Sequence, residues 1–310
     1  MISSSNPTVM NALTIDVEDY FHTEAASGAV SRDQWPHQPT RVEASTLQLL
    51  QMFDRHSVKA TLFILGWVAE RFPALIRQAA DAGHEIACHS YWHRAIFRLT
   101  PDEFREDTKR AKAAIEDAAG TGLAGYRAPS FSMVSGTEWA LDILAELGFL
   151  YDSSVNPIRH DFYGNASAPR QPHKVAGGAL WELPIATVRV AGQNLPMGGG
   201  AYLRIFPLRY MQWGLKQLRE EGSVAMFYLH PWEIDPEQPR LPLGMKSRLR
   251  QYTNLRQTQS KLESLLSEFS FGPAIAAYPE LGGNAGALIA KPAGRAAMSL
   301  SPEAAKVSQS

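Results

Sequence analysis

The chain has 310 residues, 45% of them hydrophobic and 20% charged, and carries a net charge of −1. That balance describes a globular protein with a sizeable core, and without a dominant basic patch nucleic acid is not an expected partner. The single cysteine, Cys88, excludes an internal disulfide, and no apolar run approaches the ~18 residues that cross a bilayer.

Residues 1–10 are expected to be disordered, and residues 1–9 show neither the charged nor the apolar part of a secretory signal, so a cytoplasmic location is the default expectation. Residues 11–17 read as a buried strand. Helical spacing of Leu47, Leu50 and Phe53 predicts a helix over 40–56. A second strand is expected over 59–65, a helix over 68–82 ended by Gly83, and a third strand over 85–88. Thr100, Pro101 and Glu103 form a capping-box pattern that opens a helix running to Ala119 and stopping at Gly120. Gly125–Ala128 reads as a short strand. Ser135–Glu138 reads as a second capping box, opening a helix that ends near Gly148. Residues 153–180, rich in Pro, Gly, Asn and His, form a long excursion. A strand over 181–190, a flexible loop over 196–200, a helix over 207–221 and a strand over 223–230 follow. Residues 246–269 are amphipathic and predict a helix packed on the domain, and residues 281–310 read as a disordered tail. Strands alternating with helices predict an α/β protein with a parallel sheet.

Chemistry collects at the strand ends. His89 and His93 follow the third strand four residues apart, and would share one face if that segment were helical. Neutral imidazoles are ligands for a divalent metal, whose catalytic sites take a third, often carboxylate, ligand. Asp16, Glu18 and Asp19 crowd the end of the first strand, an arrangement that is costly without a cation. Arg127 and His230 also lie at strand ends, and in a β/α barrel that is the face on which active sites are built. Cys88 reads as a small buried residue rather than a nucleophile.

These residues resemble the polysaccharide deacetylases of carbohydrate esterase family 4. Thr14-Ile15-Asp16-Val17-Glu18-Asp19 is similar to the family's acidic motif with spaced carboxylates. His89-Ser90-x-x-His93 matches its His-Ser/Thr-x-x-His motif, Arg127-Ala128-Pro129 its Arg-x-Pro motif, and Leu229-His230 its Leu-x-His motif with the spacing relaxed by one. The opening Asp16–Phe21, the stretch Gly198–Arg204 and the segment to Tyr278 resemble, more narrowly, deacetylases associated with exosortase-type exopolysaccharide loci.

The resemblance implies a distorted (β/α) barrel over 11–240, with a C-terminal helical extension over 241–280. It implies a metal, zinc first and cobalt or another divalent ion next, on His89, His93 and either Glu18 or Asp19; strand alternation favours Glu18. Asp16 is then the general base, paired with Arg127, and His230 the general acid. A backbone N–H at Ser130, after Pro129, would face the oxyanion. Glu182 is the candidate to tune His230, with Glu233 or Asp235 as alternatives. Trp181 and Trp232 are candidates to stack on sugar, and Tyr202 and Arg204 to contact a polymer or a lipid-linked precursor. Tyr20, Phe21, Trp92 and Phe131 are further aromatics near the expected mouth. The implied activity is removal of N-acetyl groups from N-acetylhexosamine units. Hydrolysis of another linear or cyclic C–N amide, or non-catalytic carbohydrate binding on the same fold, are the rival readings.

Overall fold

The computed structural model describes residues 9–160 and 163–282. The expected disorder of residues 1–8 and 283–310 therefore lies outside the described residues.

In chain order the elements are β1 (Asn11–Val17), α1 (Val42–Arg55), β2 (Thr61–Ile64), α2 (Gly66–Arg71), α3 (Pro73–Asp81), β3 (Glu85–Cys88), α4 (Pro101–Ala119), β4 (Gly125–Tyr126), α5 (Trp139–Glu146) and β5 (Tyr151–Asp152). There follow β6 (His173–Val175), β7 (Leu180–Glu182), β8 (Thr187–Val190), β9 (Gln193–Pro196), α6 (Gly200–Ile205), α7 (Leu208–Glu220) and β10 (Met226–Leu229). The chain closes with α8 (Met245–Tyr252), α9 (Leu255–Glu268), β11 (Phe271–Gly272) and α10 (Ala274–Ala277).

One sheet carries the fold, in the order β10-β1-β2-β3-β4-β5-β7-β6, with β11 added beside β1. Its pairings are parallel except β6 against β7. Every residue of β1, β2, β3 and β10 is buried, as expected for strands covered on both sides. The result is the distorted (β/α) barrel that the resemblance implies, built on the parallel sheet that the alternation predicts. Between its two ends, Ala186 N–H donates to the Met226 carbonyl at 3.1 Å and Tyr228 N–H to that of Gly198 at 2.8 Å. Among the described residues no helix is long and apolar enough to cross a membrane.

The structure departs from the expected elements where proline, glycine or a left-handed residue intervenes. The helix expected over 68–82 is two, because Pro73 lacks an N–H and takes the first helical position of α3 after Phe72, whose φ of −128° and ψ of 53° are not helical. The strand expected over 181–190 breaks at Pro184, and its second half is β8, turned back onto β9 through Ala191 at φ 47° and Gly192 at φ 81°. The excursion over 153–180 holds β6. The helix expected over 246–269 is split at Asn254, φ 54°. The Thr100/Glu103 capping box forms, with Gly120 at φ 72° ending α4. The one expected at Ser135 does not: Glu138 receives the Gly136 N–H, and α5 begins at Trp139. The C-terminal extension is more than a packed helix, since β11 joins the central sheet beside β1.

Candidate active site

The acidic end of β1 lies between β2 and β10, and the His pair follows β3. His89 and His93 converge without a helix. The segment turns through Ser90 at φ 63° and His93 at φ 50°, and the Ser90 hydroxyl receives the His93 N–H at 3.1 Å. The Arg-x-Pro segment also carries two left-handed residues, Ser130 at φ 54° and Phe131 at φ 50°. Four of the eight described non-glycine residues with left-handed backbone thus lie around one cleft, and each costs free energy that the surroundings must offset.

Glu18, His89 and His93 each offer one ligand atom, and these atoms lie within 4.8 Å of one another. His89 Nδ1 is 2.8 Å from the Arg127 carbonyl, which only accepts, so Nδ1 carries the proton and Nε2 is left as a bare donor to a metal. Burial holds the His89 pKa down at about 4. Glu18 Oε2 is buried, has no aligned hydrogen-bond donor, and sits 2.9 Å from His93 Nε2. Burial alone would raise the Glu18 pKa, but the neighbouring His93, His230 and His89 hold it well below the usual carboxylate range. An anionic oxygen facing two imidazoles is a donor set that fits a borderline divalent ion such as zinc or cobalt. The Trp232 indole N–H donates to Glu18 Oε1 at 3.1 Å and orients it.

Asp19 is not part of this cluster. It accepts the backbone N–H groups of Tyr20, Arg41 and Val42, at 3.0, 2.7 and 3.0 Å, and so fastens the start of α1. Burial raises its pKa to about 6 against those three bonds. His22, which sequence reasoning missed, accepts the Asp19 N–H at Nδ1, and burial holds it neutral with a pKa of about 3.

Arg127 is fully buried. Nη1 donates to Asp16 Oδ1 and to the Thr14 hydroxyl, each at 2.7 Å; Nε and Nη2 donate to the carbonyl and hydroxyl of Ser153 at 3.1 and 2.9 Å. This fork leaves Asp16 Oδ2 facing the cleft, 3.9 Å from His230 Nε2.

The partner of His230 is Glu233, not Glu182. Glu233 Oε2 is 3.0 Å from His230 Nδ1 and also accepts the His230 N–H at 3.0 Å, because the turn after β10 brings the two residues together. Burial would lower the His230 pKa; the Glu233 bond and the charges of Glu18, Glu233 and Asp16 raise it to about 9. Glu182 is instead bonded to Asp152 deep in the sheet, and burial pushes both carboxyls up. Asp235 pairs with Arg41 at 2.7 Å.

Arg204 is not a substrate contact. It is buried, donates from Nε to Glu233 Oε1 at 2.8 Å, and holds the carbonyls of Arg250 and Thr253 at 2.7 and 2.9 Å. It therefore braces Glu233 from behind.

The cleft above these groups has a volume of about 400 Å³, and Ser130, Phe131, Tyr163, Tyr228, Trp232 and Arg250 line it beside Asp16, Glu18 and the three histidines. Trp232 stacks on His230, centroids 5.1 Å apart. Trp181 is elsewhere, under Lys174, and Tyr202 stays outside the lining, hydrogen-bonded to Tyr163. Tyr20 and Phe21 are core, and Trp92 packs on Trp35 and Tyr91. Pro129 shapes the Arg-x-Pro turn, and Leu229, buried opposite Ile15, sets the end of β10. Tyr228 was missed although it lies two strand positions before His230, a spacing that puts both on one face. Tyr163, inside the irregular excursion, left no such signal.

Comparison with known families matches residues 30–151 to a model described as polysaccharide deacetylase, and residues 153–278 to one described as a domain of unknown function, DUF3473. The second match contains His230, Glu233 and Arg204. The peptidoglycan-N-acetylglucosamine deacetylase of Bacillus cereus is 31% identical over 147 residues, which are 44% of this chain and 53% of the relative. The chitooligosaccharide deacetylase of a Bradyrhizobium species is 30% identical over 100 residues, 32% of this chain and 43% of the relative. The chain thus spans about half or less of the length of these curated relatives. A Mycobacterium smegmatis crystal structure, provisionally assigned as a polysaccharide deacetylase, shares the fold with TM-score 0.59 and 24% identity over 86% of each chain.

Proposed function

We propose, for a chain that belongs to the polysaccharide deacetylase family over residues 30–151, a metal-dependent hydrolase that removes N-acetyl groups from N-acetylhexosamine units of a polysaccharide or its precursor. The observation that carries this reading is the meeting in one cleft of a two-histidine, one-carboxylate donor set with a buried Asp–Arg pair and a histidine held protonated.

Glu18, His89 and His93 are the proposed metal ligands. A divalent ion there, zinc or cobalt, would supply Lewis-acid polarisation of the amide carbonyl and a water of lowered pKa. Asp16, with Oδ1 fixed by Arg127, takes the water proton at Oδ2. The Ser130 N–H, on the turn after Pro129, faces the oxygen that gains charge. His230 gives its Nε2 proton to the departing amine, which leaves as the free amino sugar while acetate remains. One proton is gained at Asp16 and one lost at His230, so the pair is reset by returning a proton from Asp16 to His230 through cleft water, since 3.9 Å separates them, while the second proton of the attacking water leaves with the amine. Glu233 keeps the His230 ring oriented with Nδ1–H held, and Arg204 keeps Glu233 in place. Phe131, Tyr163, Tyr228 and Trp232 offer aromatic faces to a sugar ring.

A panel of N-acetylglucosamine oligomers set against O-acetylated sugars and cyclic ureides tests the substrate class. Acetate release from the N-acetylated oligomers is expected. Turnover of a cyclic ureide alone would replace this reading with the second amide class, and sugar binding without turnover of any member would favour a binding protein.

A further inference from the structure

The mouth of the cleft is bordered by an element whose other residues the reaction does not use. Ser247 and Arg250 of α8 line the cleft. On the same helix Met245 and Leu249, one turn apart, are 79% and 63% exposed. Large apolar side chains this exposed are unusual here; no other large hydrophobic residue among the described ones exceeds 50%. Beside them lies a second cavity of about 520 Å³, formed between α8 and the Arg240–Leu243 segment, with Leu241, Leu243, Met245, Leu249 and Tyr252 in its wall and Arg240 and Arg248 at its rim.

The charge of this region is one-sided. From Gln238 to Leu262 the sequence holds Arg240, Lys246, Arg248, Arg250, Arg256 and Lys261 and no aspartate or glutamate, in a chain whose net charge is −1; Arg256 pairs with Glu237 and Lys261 holds backbone carbonyls, which leaves the four cations of the Arg240–Leu243 segment and α8. Arg240, Lys246, Arg248 and Arg250 are exposed and, among the described residues, form no ion pair. Lone surface cations cost little, but an acid-free run flanking protruding apolar side chains is the pattern of an interfacial helix. Its apolar residues enter the acyl boundary and its cations meet lipid phosphates.

We propose that α8 and the Arg240–Leu243 segment seat the protein on the surface of an anionic bilayer. Met245 and Leu249 enter the interface, Arg240, Lys246 and Arg248 meet the headgroups, and the catalytic cleft opens beside the membrane. An acidic protein partner would satisfy the cations but not two isolated protruding apolar tips. A second copy of the chain would bring the same positive charge against itself. The bilayer satisfies both features at once.

The test is sedimentation of the full chain with vesicles of phosphatidylcholine containing one quarter phosphatidylglycerol, and with phosphatidylcholine alone. The wild type is expected to bind the anionic vesicles at least ~10-fold more tightly, and to lose that preference at high salt. Met245→Ser/Leu249→Ser and Lys246→Glu/Arg248→Glu are each expected to lose ~10-fold or more of that binding. Their melting temperature and their acetate release from a soluble oligomer should stay at wild-type values. Equal binding by wild type and both double variants would overturn the proposal. So would an absence of binding to anionic vesicles, equal binding to neutral ones, or a dimer in solution that dissociates when Met245 and Leu249 are replaced. Vesicle binding is read without catalysis, so its failure leaves the deacetylase reading standing, and failure of the acetate assay leaves this one.

Discussion

Replacing Glu233 by glutamine tests how the structure prepares its acid. The carboxylate of Glu233 is the largest of the influences that raise His230, and its bond to Nδ1 is 3.0 Å long. With it, His230 has a pKa of about 9, against an ordinary value of 6.5. Glutamine keeps the shape but not the charge, so the pKa should fall below about 9, because burial then acts with less opposition. A group with a raised pKa is in its acid form below that pKa and loses it as pH rises through it. Each unit by which the pKa falls moves the basic limb of kcat/KM down by one pH unit, a loss of up to about 10-fold in rate above it. Below pH 6 the two proteins should converge. A cation on Glu18 would offset the Glu18 contribution to His230 but leaves the Glu233 bond untouched, so the basic limb should still move to lower pH. The assay is initial acetate release from N-acetylglucosamine oligomers between pH 6 and 10. A variant whose basic limb stays where the wild type has it would refute the reasoning, even if its rate were lower throughout, since a uniform loss reports only misplacement.

Other perturbations separate the parts of the site. Gly200→Ala should reproduce much of the Glu233→Gln loss, because a Cβ there meets the Glu233 carboxylate that Arg204 and His230 hold in place; a wild-type rate would show that Glu233 is free to move. Glu18→Gln should abolish binding of one zinc equivalent in a calorimetric titration. Asp19→Ala should retain it while losing about 2 kcal/mol of stability, the cost of stranding the N–H groups at the start of α1. The opposite pattern would exchange the two roles. Trp232→Phe removes the indole bond to Glu18 and should weaken zinc binding about 10- to 100-fold, with an unchanged Kd telling against that bond. Arg127→Lys cannot serve Asp16, Thr14 and Ser153 together, so kcat should drop by about 100-fold with little change in KM; a change confined to KM would place Arg127 in binding instead.

The parts of the fold that were legible in the sequence are those carried by local chemistry. Buried runs such as Asn11–Val17, the Thr100/Glu103 box and Gly120 announce their elements because the signal and the structure lie in the same few residues. The Asp16–Arg127 pair was also foreseen, through motifs at strand ends. What stayed hidden depends on tertiary contact. Glu182 and Glu233 are both glutamates near the right strands, and only the sheet decides that Glu182 meets Asp152 while the turn after β10 folds Glu233 onto His230. Arg204, after a glycine run, read as a candidate to contact a polymer, yet it is buried by the α8–α9 segment, which arrives some fifty residues later. The approach of His93 to Glu18 rests on left-handed backbone at Ser90 and His93, which neither residue type advertises.

The most direct measurement is acetate release from N-acetylglucosamine oligomers by protein stripped of metal and then reloaded with zinc or cobalt, with Asp16→Asn beside it. The account predicts release that vanishes on stripping, returns on reloading, and is lost in the variant although it still binds one metal ion. Release that survives stripping, or persists in Asp16→Asn, would contradict it.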